Sequence, residues 1–168
     1  LIKLPLLFIY TDMGDGKMIS LELYGDPIAQ KRPRFSRIGN HVHCYDDQAK
    51  IKEGYRWQIR SLYREDPLTI PLAIDLVFFM PIPKSSSGIK KRQMANGIIP
   101  HQKKPDLDNC IKFILDTLNG LTFKDDSQIS EIRAKKIYSN KPGTLIRLIP
   151  LADEKRELLY ENCSREHR

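Results

Sequence analysis

Five residues with ionisable side chains stand close together in one part of the chain. Asp106, Asp108 and Lys112 fall in Lys104-Pro105-Asp106-Leu107-Asp108-Asn109-Cys110-Ile111-Lys112, and Asp125 and Asp126 in Lys124-Asp125-Asp126-Ser127-Gln128. Carboxylates that converge repel one another unless a cation lies between them. Hard divalent ions such as Mg²⁺ and Mn²⁺ take oxygen ligands. A metal held by Asp and surrounded by Lys and Arg suits a phosphodiester backbone above other substrates.

Spacing decides which of these groups can meet. On a continuous helix, residues two apart point about 200° from one another, so Asp106 and Asp108 would not share an ion. Asp106 follows Pro105, however, and suits the helix N-cap, where an extended backbone lets its carboxylate swing toward the first turn. Asp108 and Lys112 are i and i+4 and share a face. The helix N-terminus also favours ionised carboxylates. A chain reversal after the helix is expected to return Asp125 or Asp126 to the same end of the sheet, giving three ligands from two elements.

Each residue alone has a plainer reading: Asp106 caps, Asp108 pairs with Lys112, and Asp125-Asp126 makes a turn. The combination favours the metal site, because capping needs one carboxylate and not four beside a basic surface. Asp116 lies further along as a salt-bridging or supporting group. Lys112 is either a simple ion-pair partner or a cation beside the scissile phosphate, where it offsets charge developing in the transition state. A water made acidic by the cation is the nucleophile in this reading. One ion or two remains open.

Basic segments at Lys31-Arg32-Pro33-Arg34, Lys90-Lys91-Arg92, Lys103-Lys104 and Lys135-Lys136 each read singly as solvated surface. Together, with Phe35 and Tyr45 nearby, they suit phosphate contacts. His41, His43 and Cys44 lack partners at zinc spacing. There is no glycine-rich phosphate loop, G-x-S-x-G or H-E-x-x-H.

The elements that position these groups follow from periodicity. Ile19, Leu21 and Leu23 alternate with polar residues in a half-buried strand. Gln48 to Glu65 has helical composition after Asp46-Asp47, with Ile51, Tyr55, Ile59 and Leu62 expected to face the core. Leu72 to Met80 is apolar on both faces and reads as a central strand. Ile89 to Asn96 is a short basic helix. Asp106 to Asn119 is a helix with Leu107, Ile111, Ile114, Leu115 and Leu118 as its buried stripe. Ile129 to Tyr138 and Thr144 to Leu151 are strands, expected to form a hairpin across Asn140-Lys141-Pro142-Gly143. The sum is a single α+β domain, with a mixed sheet of about four strands and two main helices, over residues 19–151. Residues 1–18 form an N-terminal extension, with Met18 a candidate start, and residues 152–168 form a polar C-terminal tail.

The chain has 168 residues, 40% of them hydrophobic and 29% charged, with a net charge of +7. That describes one globular domain whose basic balance favours a polyanionic partner. Cys44, Cys110 and Cys163 form no C-x-x-C pair, which argues against a disulfide framework and points to a reducing, cytoplasmic setting. The apolar start is too short to span a bilayer and lacks a signal-peptide cleavage pattern.

Assembled in order, Pro105-Asp106-Leu107-Asp108-Asn109, Lys112, Asp116-Thr117-Leu118-Asn119-Gly120 and Asp125-Asp126-Ser127-Gln128-Ile129 resemble the RusA family of Holliday-junction resolvases. The basic loop Gln30 to Phe35 is similar to an early basic motif of that family. The resemblance implies Asp106, Asp108 and Asp126 as ligands of a catalytic Mg²⁺ (or Mn²⁺), and Lys112 as a residue needed for activity. It further implies a homodimer that binds four-way junction DNA and makes paired nicks in DNA recombination and repair, and a prophage setting. Lys31, Arg32, Arg34, Lys103 and Lys104 are the expected DNA contacts. Three other readings are a less selective nuclease for flaps or branched DNA, a non-catalytic junction-binding protein, and a metal-binding regulator using His41, His43 and Cys44.

Overall fold

Alternating apolar residues build the sheet, and two amphipathic helices cover one of its faces. The computed structural model describes residues 8–12, 17–32, 34–38, 41–45 and 47–151, so the expected tail at 152–168 lies outside the described residues. The elements run β1 (Phe8–Asp12), β2 (Lys17–Tyr24), β3 (Arg34–Ile38), β4 (His41–Tyr45), α1 (Ala49–Leu62), β5 (Leu72–Pro81), α2 (Gly88–Ala95), α3 (Leu107–Leu118), β6 (Ile129–Ser139) and β7 (Gly143–Pro150). A mixed five-stranded sheet has the order β1-β2-β7-β5-β6, and β3 and β4 make a separate two-stranded ribbon. Phe8–Asp12, within the expected extension, is the edge strand beside β2.

Ile19, Leu21 and Leu23 on β2, Leu72, Ile74, Leu76 and Phe78 on β5, and Ile146 and Leu148 on β7 are buried on one face of the sheet. Against them pack Tyr55 and Ile59 of α1 and Phe113, Ile114 and Leu118 of α3. The rings of Tyr55 and Phe113 meet edge to face at 5.4 Å. The buried face of α3 is Cys110, Phe113, Ile114, Thr117 and Leu118. Leu107, Ile111 and Leu115 pack at its margin instead of forming the centre of the stripe. Ile51 also departs from expectation: it is 41% exposed, because α1 reaches the core only from Tyr55 onward.

The expected β6–β7 hairpin does not form. β5 lies between them, antiparallel to β7 and parallel to β6, so the short link after Ser139 crosses the end of β5. The physical reason is burial. β5 is the strand with apolar residues on both faces, and a central place satisfies both faces and both edges. At the start of β7, Gly143 is pressed against β2. A Cβ there would stand 2.8 Å from the Leu23 carbonyl oxygen, so no larger residue fits without moving the backbone.

Strand directions fix the working end of the sheet. β2 and β5 are each antiparallel to β7, and β6 is parallel to β5. The carboxyl ends of β2, β5 and β6 therefore lie along one edge. α3 starts near this edge and runs back toward the other, as the crossover of a parallel strand pair must.

Candidate active site

Asp106 is the N-cap residue of α3 with an extended backbone (φ −72°, ψ 145°), yet its carboxylate makes no capping hydrogen bond. The plain capping reading therefore fails for this residue. Asp108 is exposed in the first turn and Lys112 is exposed one turn later. Asp116 pairs with Lys52, and among the described residues Asp108 and Lys112 do not pair with each other. Both carboxylates and the ammonium are thus presented to solvent on the starting half of one helix.

The loop leading to Asp106 is fixed from β6. Lys136 Nζ donates to the carbonyl oxygens of Lys103 (3.0 Å) and Pro105 (2.6 Å). Sequence reasoning placed Lys136 among the phosphate contacts. Its ammonium instead holds the backbone on either side of Lys104, while Lys135 points to the opposite face of the sheet. Lys103 and Lys104 stay exposed beside the motif.

The early basic loop is docked against the same turn. The Gln30 amide donates to the Asn109 carbonyl at 2.8 Å. Gln48, 1% exposed at the N-cap of α1, accepts from the Lys31 amide at 2.6 Å and donates to the Ala29 carbonyl at 2.9 Å. Lys31 and Arg32 thus directly follow a residue bonded to the first turn of α3. Arg34 lies on β3, in the backbone ribbon that continues this loop. Gln48→Ala should leave two backbone groups unpaired and lower stability by about 1–3 kcal/mol. Chemical denaturation measures this, and an unchanged midpoint would show that water replaces the glutamine.

Asp125 and Asp126 divide their roles. Asp125 caps a 3₁₀ turn over Asp126–Gln128: its Oδ1 accepts from the Ser127 amide at 2.9 Å, and its own amide donates to Gln128 Oε1 at 2.9 Å. Gln128 Nε2 donates to the carbonyls of Leu68 and Ile70, each at 3.0 Å. Asp125, Ser127 and Gln128 therefore build and anchor the turn, and Asp126 is exposed on it. The hydrogen bonds from Ser127 hold the Asp125 carboxyl below its ordinary value of 3.8. A depressed folded-state value stabilises above the unfolded value and is lost as pH falls through the acid range. Asp125→Ala should lower Tm at neutral pH and Asp126→Ala should not. Thermal scans of both decide it, and equal losses would give Asp126 a structural role.

Asp126 does not return to Asp106 and Asp108. It follows the C-terminus of α3, whereas they sit at its start, and the 12 residues of α3 put about 18 Å between the ends at 1.5 Å per residue. Among the described residues, no three His, Cys, Asp or Glu side chains come close enough to hold a metal ion. One chain therefore brings together Asp106, Asp108, Lys112, Lys31, Arg32, Lys103 and Lys104, and leaves Asp126 at the other end. Among the described residues, Asp106, Asp108 and Asp126 therefore do not form one ligand set.

Two neighbours of the motif have other duties. Cys110 is fully buried and fills the core, where burial pushes its thiol up to about 11. Asp116 meets Lys52 at 3.4 Å, and Arg56 donates to the carbonyls of Thr117 and Asn119 at 3.0 and 3.1 Å, which locks the end of α3 to α1. Sequence reasoning missed Gln48 and Arg56 as positioning groups, because their contacts are tertiary and leave no local pattern. The side chains of His41, His43 and Cys44 lie outside the described residues. Among the described residues, no helix is long and apolar enough to cross a membrane.

A family model described as Endodeoxyribonuclease RusA matches residues 24–149. A Bacillus subtilis (strain 168) protein described as Uncharacterized protein YqaN is 38% identical over 128 residues, which cover 74% of this chain and 90% of that protein. The matched region contains the docked basic loop, α3 with both of its aspartates, and the Asp125-Asp126 turn. With that arrangement and that match, the chain belongs to the RusA family of endodeoxyribonucleases.

Proposed function

We propose that this protein is a homodimeric, metal-dependent endonuclease that binds four-way DNA junctions and nicks two opposing strands. The observation that carries the reading is a divided ligand set in a nuclease-family chain. Asp106 and Asp108 are exposed at one end of α3 and Asp126 at the other, all beside basic residues. A two-fold pairing that runs the two copies in opposite directions puts the partner's Asp126 opposite Asp106 and Asp108, and repeats the arrangement at the second site. Symmetry of this kind also suits a substrate with two equivalent strands to cut.

The carboxylates would hold Mg²⁺ or Mn²⁺, which when bound supplies charge neutralisation at the attacked phosphate and acidity to a water. The chain's own groups do the remainder. Lys31, Arg32, Lys103 and Lys104 hold phosphates on both flanks of the motif, which fixes the strand in register without reading bases. Lys112 lies on the same exposed line as Asp108 and meets the phosphate as negative charge grows on it. Gln48 and Lys136 hold the two loops that carry these contacts, so little reorganisation is needed when DNA arrives.

The test is cleavage of a labelled synthetic four-way junction beside linear duplex and flap DNA, with Mg²⁺, Mn²⁺ or EDTA. Paired symmetric nicks on the junction, lost in EDTA, are expected. Equal cutting of all three substrates would replace the junction specificity with a general branched-DNA nuclease. Tight junction binding without cutting under either metal would leave a binding protein only.

A further inference from the structure

A cavity of about 240 Å³ opens immediately behind the nuclease motif. It lies at the carboxyl ends of β2, β5 and β6. Pro27 follows β2, Met80 and Pro81 end β5, Tyr138 ends β6, and the loop from His101 to Pro105 closes the side toward α3. Crevices at the carboxyl ends of parallel strands are common ligand sites. Pro105 lines the cavity and Asp106 is the next residue, so an occupant is one residue from the carboxylates. No element assigned so far uses this space.

The chemistry of the walls selects the occupant. Pro27, Met80, Pro81, Pro83 and Tyr138 give apolar, largely flat surfaces. The His101 ring packs on Tyr138 with centroids 4.6 Å apart and planes tilted by 55°. Burial, with Lys136 and Lys103 nearby, pulls His101 below the ordinary imidazole range, so the ring is neutral at neutral pH and adds no charge to the wall. Lys103 and Lys104 are exposed at the mouth. Among the described residues the lining holds one carboxylate, Asp26, which is too few for a metal ion, and its cations are the exposed Lys103 and Lys104. A planar ring with an anionic backbone at its edge matches both parts: the ring enters, and the flanking phosphates rest on the lysines. The volume is below that of sites for drug-sized ligands, as a single base requires.

Resting on the nuclease reading above, we infer that this cavity is a nucleobase site, which takes one unstacked base of the strand being cut, next to the scissile phosphate. A branch point is where a base leaves the stack at least cost. The lodged base would fix the strand's position against Asp106 and Asp108 and would make cutting depend on the identity of that base.

The test uses the full-length protein in EDTA, so that no strand is cut. Junctions carrying 2-aminopurine at successive positions around the branch report unstacking by increased fluorescence, and anisotropy reports overall binding. The wild type should raise the signal at one position on each of two opposing strands. Pro83→Trp, which puts a bulky ring on the cavity wall, should abolish that rise and weaken junction binding by about 5-fold or more, the lower end of the range for one lost base contact. Should Pro83→Trp misfold by circular dichroism, Pro81→Trp at the exposed end of β5 serves the same purpose. Tight binding with no rise at any position overturns the base site and leaves the nuclease reading standing. A rise that survives in the folded filled variant also overturns it. Failure to bind branched DNA at all removes the nuclease reading and this inference together.

Discussion

Mixing two dead variants should restore cutting. Asp106→Asn and Asp126→Asn are each expected to lose at least about 10²–10³-fold in junction cleavage, the scale on which losing a group that stabilises transition-state charge is felt. If each site takes Asp106 and Asp108 from one copy and Asp126 from the other, a mixed dimer has one site with both lesions and one with none. Random exchange makes half the dimers mixed, with one sound site of two, so the mixture should recover about a quarter of wild-type activity. Asp106→Asn mixed with Asp108→Asn is the control, because both lesions fall on the same half-site and no mixed dimer has an intact one. The measurement is nicking of a labelled junction after the two proteins have been incubated together. If each chain carried its own complete site, no mixture would cut. The separation of Asp126 from the other two along α3 is what makes the two outcomes differ.

Removal of Lys112 should produce the second large effect. Its ammonium is exposed and makes no ion pair with Asp108, so the ordinary role of an i,i+4 partner, worth about 0.2–0.5 kcal/mol, is unfilled. Lys112→Ala should therefore leave the melting temperature almost unchanged. Under single-turnover conditions it should lower the cleavage rate about 10²-fold or more while junction affinity changes little, as expected for a charge that acts mainly in the transition state. Lys112→Arg keeps the charge but not the compact ammonium, and should recover only part of the rate. A parallel loss of affinity and rate would make Lys112 one more phosphate contact.

Local pattern carried much of this architecture. β2 and β5 were legible from two-residue alternation, and α3 from its apolar stripe, its N-cap aspartate and Gly120 beyond its end. The docking of β7 and β6 on either side of β5 was not legible. Strand order depends on which strand must be buried on both faces, and the sequence distance between β6 and β7 favoured a hairpin instead. At the candidate site, residue types and the two motifs were visible, but their placement was not. The short sequence distance from Asp108 to Asp126 suggested proximity, although the helix between them has a fixed rise and carries the chain away. That length was already implied by the predicted helix. Polar clamps such as Gln48 on the basic loop and Lys136 on the Lys103–Pro105 backbone join segments far apart in sequence, so no local window reveals them.

The parallel pairing of β5 with β6 has a consequence for how the enzyme comes into being. The whole of α2 and α3 lies in the connection between these strands, and so does the Asp125-Asp126 turn. Every candidate catalytic residue is therefore synthesised inside a loop that is closed only when β6 docks. Non-local pairings of this kind are reached late, since a long loop loses its freedom before any contact rewards it. Lys136, which seats the Lys103–Pro105 backbone, arrives with that same strand. A chain in which β6 has not docked therefore lacks the Lys136 hydrogen bonds that seat the backbone just before Asp106.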